Sequence, residues 1–401
     1  MRRMAMAAAV AALTMAGQAR AEALHPASGL IAERGLAGAE AALAAMDAPG
    51  PDDLYALGGV RFLRAVEHAL QERWRVGSDG AFGVPIPLLR LPVTPRRRPE
   101  PMEPEFARDL FATALGTLDG AGEALDAIPE DAAFGVRIAL SDLWFDVDAD
   151  GVRRPGEGVF EISGTALGTR PAEAADAIVR FDRADAAWLR AYVHLLSATA
   201  EAVLAYDPTE AARTVFGGTA RLTGLGAVSP VAADIGGTYD PLVTMVVAMR
   251  QQPDPARARA ALAHLEGMIA QNRRFWRLVA RETDDREEWV PNAAQASALG
   301  IELPEGAADA WIGVLDEIEQ VLKGERLIPY GNPGRTLREH GTGVNLRAMF
   351  ERPGPLDPLL MIHGAGLAPW VERGPLASGE AMARFGDIVG GDAMLFAVWL
   401  N

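Results

Sequence analysis

Apolar residues recur along most of the chain at intervals of three and four, the spacing that gathers side chains on one face of an α-helix. Val60, Leu63, Val66, Leu70 and Trp74 make one such stripe. A second follows Asp182, which is placed to cap the helix, and carries Trp188, Tyr192, Leu195, Ala198 and Ala202. Asp254 and Pro255 read as the N-cap and first residue of a third, with Leu262, Leu265, Ile269, Trp276 and Val279 along one side. Trp311, Leu315, Ile318 and Leu322 mark a fourth. Alanine-rich stretches at 35–46 and 107–126 extend the set, because alanine costs least in a helix. Residues 132–144 also read as helix. Stripes of this kind bury themselves against one another, which predicts a mainly α, irregular multi-helix assembly.

Two regions break the pattern. Val84 to Pro104 holds seven prolines in 21 residues, a density that forbids regular helix and favours an extended strap. Ile86, Leu88, Leu89 and Leu91 give the strap an apolar half to lay over the helical body, and Arg96, Arg97 and Arg98 give it a basic half. From Leu327 to Asn401 the chain is rich in Gly and Pro, with apolar runs at Leu359–Ile362 and Met394–Leu400 that suit either strands or buried helix. No fixed-period repeat and no clear linker divide the chain. The expectation is one large domain over 22–401, with lobes at 22–165 and 166–401 as the natural subdivision.

Composition narrows the functional classes. The 401 residues contain no cysteine, which excludes disulfides, thiol catalysis and Cys-ligated metal centres. The net charge of −16 argues against a broad nucleic-acid surface. Arg2 and Arg3, the apolar run Met4–Ala16 and the Ala19-Arg20-Ala21 site together have the three parts of a secretory signal peptide over 1–21. Beyond that segment no stretch approaches the ~20 apolar residues of a membrane-spanning helix. A soluble periplasmic or secreted protein is expected.

The motif with chemistry is Asp146-Val147-Asp148-Ala149-Asp150-Gly151-Val152-Arg153-Arg154-Pro155-Gly156-Glu157. It matches D-x-D-x-D-G-x5-E throughout and resembles an EF-hand calcium loop. Calcium takes six to eight oxygen ligands at about 2.3–2.6 Å, so a short loop must wrap carboxylates around it. The resemblance implies ligation by Asp146, Asp148 and Asp150, by the carbonyl of Val152 and by both oxygens of Glu157, with Gly151 at the sharp turn. Arg154 stands at the ninth position and cannot ligate, and Arg153 stands where paired hands carry an apolar residue. Gly156 and Gly158 argue against a regular exit helix. The implied cofactor is a single structural Ca2+, held in the weak range of about 10⁻⁴–10⁻³ M.

Other constellations are incomplete. His363-Gly364-Ala365-Gly366 has the look of a hydrolase oxyanion segment, but no G-x-S-x-G elbow accompanies it, and a turn is expected. The six histidines show no H-x-x-x-H or H-E-x-x-H spacing, so His194 and His264 read as structural histidines on helices. Asp284, Asp285, Glu287 and Glu288 ahead of Trp289 offer carboxylates for a sugar cleft, or merely a solvated helix end. The sequence thus points to an exported calcium-binding protein with a binding or scaffolding role toward a protein or glycan partner. The alternative is a periplasmic hydrolase of cell-wall or carbohydrate substrates.

Overall fold

The computed structural model describes residues 23–78, 88–89, 91–94, 96–162, 177–227, 239–283, 285, 287–300, 303–330 and 340–390. The signal-peptide segment, Ile86, Asp284 and the run Met394–Leu400 lie outside the described residues. The fold is mainly α. Helices α1 (Pro26–Ala44), α2 (Pro51–Arg75) and α3 (Phe106–Asp126) come first, and a short antiparallel pair of strands follows, β1 (Val136–Ala139) with β2 (Ile178–Phe181). Next come α4 (Arg183–Ala205), α5 (Thr209–Gly224), α6 (Tyr239–Met249), α7 (Pro255–Val279) and α8 (Ala307–Leu322). The last part holds an antiparallel sheet of β3 (Ile328–Pro329), β4 (His340–Val344) and β5 (Val371–Pro375), in that order. Between β4 and β5 lie α9 (Leu346–Glu351) and α10 (Pro358–His363), and α11 (Glu380–Val389) ends the described chain.

Most stripe residues pack into core, but in α4 Ala202 is exposed and Leu195 half-buried, and Leu189, Val193 and Leu196 carry the contact instead. A first cluster joins α1, α2 and α3 to one face of α4 through Leu70, Leu118, Leu189, Val193 and Leu196. A second joins the start of α4 to α7, α8 and α11 through Ala187, Ile269, Phe275, Leu315 and Phe385. Helix α4 belongs to both, so it is the spine of the molecule. Asp182 caps it, accepting from the Ala184 N–H at 2.8 Å, and Asp254 caps α7 in the same way at 2.7 Å. The described part of the proline-rich strap buries Leu88, Leu89 and Val93 in the first cluster. Arg96 lies 4.7 Å over the Trp74 ring and pairs with Glu100.

Residues 132–144 are not the helix their composition suggests. Val136 and Ile138 are buried while Arg137 between them reaches Glu287 with two hydrogen bonds, at 2.6 and 2.7 Å. That is the period of two of a strand. Its partner, β2, comes only some forty residues later, in the register Val136↔Phe181 to Ala139↔Ile178. The run Leu359–Ile362 departs from expectation as well. It forms α10, started by Asp357 and Pro358 and stopped at Gly364 with φ 96°, and leaves Leu359 77% and Ile362 86% exposed. The segment His363–Gly366, expected as a turn, is a helix-to-helix junction: His363 ends α10, Gly364 bends the chain, and Ala365 and Gly366 open a 3-10 helix over Ala365–Trp370.

Candidate metal centre

The acidic loop hangs from the first core cluster by its two ends. Trp144 and Gly158 form an antiparallel bridge. The Phe145 N–H donates to the Glu157 carbonyl at 2.8 Å, and the Val159 N–H to the Leu143 carbonyl at 3.0 Å. Trp144, Phe145 and Val147 are buried. The Trp144 indole reaches under α1 and donates to the Ile31 carbonyl at 2.7 Å. It fits because α1 kinks at Gly35, where φ is 68° and a Cβ would stand 3.1 Å from the ring. An EF-hand loop sits between two helices. This one opens from a strand-like mouth that follows a 3-10 turn at Leu140–Asp142, and helix resumes at 159–162.

Inside the mouth the carboxylates are held by backbone donors. Asp146 accepts from the N–H groups of Asp150 at 3.0 Å and Gly151 at 2.9 Å. Glu157, only 6% exposed, accepts from Val147 at 3.0 Å and Arg154 at 2.7 Å. Three turns with positive φ, at Ala149, Gly151 and Gly156, fold the loop this tightly. Asp146, Asp148 and Glu157 each bring one oxygen to within 4.8 Å of the others. One Asp148 oxygen is buried without a hydrogen-bond partner. Burial, followed by the charges of Asp148 and Asp146, pushes the Glu157 carboxyl above its ordinary range. A divalent cation would reverse that shift, and an all-oxygen donor set suits a hard ion.

Asp150 and Val152 stand apart from this convergence. Asp150 turns one oxygen to the Val152 N–H at 2.8 Å and the other to the Arg154 guanidinium, which holds its carboxyl below the usual range. Val152 is 57% exposed. Arg154 also lies 3.2 Å from Asp148, so it acts as an internal counter-ion to two of the four acids.

Helix α2 supplies support that local spacing does not reveal. Glu67, 1% exposed, accepts from the Asp146 N–H at 2.8 Å and pairs with Arg64. Burial raises its carboxyl above the ordinary value against the pull of those two donors. Gln71 donates to the Asp146 carbonyl at 2.7 Å. The two positions are four apart on one helical face, a signal of a shared surface but not of what it meets.

The other candidate residues have structural partners. Glu287 is taken by Arg137, Glu288 is buried, and Asp285 accepts from the Ala296 N–H at 2.7 Å. Trp289 packs on Phe181 and Trp188. No protein-family model matches the chain, and no curated protein or solved structure matches it significantly. Among the described residues no helix is long and apolar enough to cross a membrane.

Proposed function

We propose that residues 146–157 bind one Ca2+, and that the ion is structural in an exported protein with a binding or scaffolding role. The observation that carries the reading is the convergence of Asp146, Asp148 and Glu157, with an Asp148 oxygen left unpartnered. With metal bound, the Val152 carbonyl, Asp150 freed from Arg154, and water would bring the shell to the six to eight oxygens calcium prefers. The ion would lock two buried strand ends together and, through Asp146, fix them to α2. Export rests on the N-terminal pattern of 1–21. A binding role is favoured by the apolar side chains of α10, which stand in solvent as a partner-covered surface would.

A thermal melt in 10 mM Ca2+ against chelator tests the metal. If the dissociation constant is about 10⁻⁴ M, ligation stabilises by about 2.7 kcal/mol, several degrees in the midpoint. Asp148→Ala should abolish the difference. An unchanged wild-type midpoint, or a shift that survives Asp148→Ala, overturns the reading.

A further inference from the structure

Helices α4 and α7 run antiparallel along the spine, and their facing polar pairs recur two turns apart. Glu201 meets Arg257 at 2.8 Å, and His194 meets His264 with 3.0 Å between their Nδ1 atoms. The contact needs a gap in α7, and Gly267 provides it. A Cβ there would stand 2.7 Å from Cε1 of His194. Both rings are half-buried, so the nitrogens are sheltered yet reachable. Burial and the charge of Arg190 oppose a cation at His264, while the charges of Asp119, on α3, and Glu201 favour one. The neighbouring acids are satisfied, Glu201 by Arg257 and Asp126 by Arg190 at 2.7 Å. Asp119 makes no ion pair among the described residues.

We propose that His194 and His264 form a second metal site, for one borderline transition-metal dication such as Zn2+, at the junction of α4 and α7, with Asp119 of α3 as a nearby negative charge rather than a ligand. Two nitrogens bound at about 2.0–2.1 Å to one ion stand about 2.9–3.4 Å apart for ligand angles between octahedral and tetrahedral. The 3.0 Å between the imidazoles already falls in that span. Without metal, one ring must donate its Nδ1 proton to the other. With metal, the donating ring changes tautomer, its proton moving from Nδ1 to Nε2 by way of solvent, and both Nδ1 lone pairs face the ion. Burial holds both rings below the ordinary histidine value, so at neutral pH they are in the uncharged form a metal requires. Water fills the remaining positions. Imidazole nitrogen excludes calcium as the occupant.

The site is independent of the acidic loop, and the test keeps the two apart. Titrating Zn2+ into the full chain with 10 mM Ca2+ present, by calorimetry at pH 7.5, should show one equivalent bound. His264→Gln should weaken it at least tenfold and Asp119→Asn at least threefold. Glu157→Gln, which disables the loop, should leave it unchanged. Histidine-selective NMR of the wild type reads the ligands without any substitution: the Nδ1 resonances of His194 and His264 should shift together. Absence of binding, equal binding by His264→Gln, or shifts confined to His25, His68, His340 and His363 would overturn the proposal.

Discussion

Arg154 holds the position in the acidic loop where its neighbours would have a water or an oxygen ligand, and its guanidinium bridges Asp148 and Asp150. A fixed positive charge at that place does two things. It relieves repulsion among the carboxylates when no ion is bound, and it must leave before Asp150 can ligate. Exposed pairs of this kind contribute little to stability but compete directly for the site. Arg154→Ala should therefore tighten Ca2+ binding roughly three- to tenfold, read by calorimetry. Weaker binding would mean that Arg154 organises the loop rather than competing for it. Asp146 and Glu157 are positioned differently, by backbone N–H groups rather than by a competing charge.

At the scale of elements, the decisive joint is between α1 and the loop mouth. Gly35 adopts a left-handed turn with ψ 179°, a region nearly closed to side chains, and the Trp144 ring fills the space beside it. Gly35→Ala adds both backbone strain and a clash in the first core cluster. The expected cost is about 2–3 kcal/mol, read as a lower urea midpoint. Because Trp144 begins the strand-like mouth, the same variant should also bind Ca2+ more weakly. A loss of stability with unaltered affinity would show that the mouth is set by β1 and α2 alone. The joint also explains why α1 is a helix with a kink: the alanines favour helix, and the glycine bends it where the indole enters.

Across the whole molecule, the paired helices α4 and α7 carry a titratable seam. Burial first, then the charges of Arg190 and His264, hold His194 down to about 4, with Asp126 opposing. His264 is lowered by burial, with Asp119 and Glu201 opposing. An unfolded histidine titrates near 6.5, so the folded chain binds fewer protons than the unfolded one below that pH. The stabilisation is complete above about pH 6.5 and is lost as pH falls toward 4. Buried Glu67 and Asp185 have raised values and act with the opposite sign, so the variant comparison isolates the histidine. Urea midpoints at pH 7 and pH 5 should fall less for His194→Gln than for the wild type, and an equal fall would assign the acid sensitivity elsewhere. What the chain alone determined about this protein was whatever neighbouring residues settle among themselves. The periodic stripes, the caps at Asp182 and Asp254 and the twelve-residue acidic loop all depend on contacts within a few turns of backbone. Tertiary structure decided the rest. It made a strand of Val136–Ala139, because a ladder needs β2. It put Glu67 and Gln71 behind Asp146, and it brought His194 to His264 across seventy residues of chain. Hydrogen bonds between distant segments form only after packing has brought those segments together, and no local spacing encodes which segments those are.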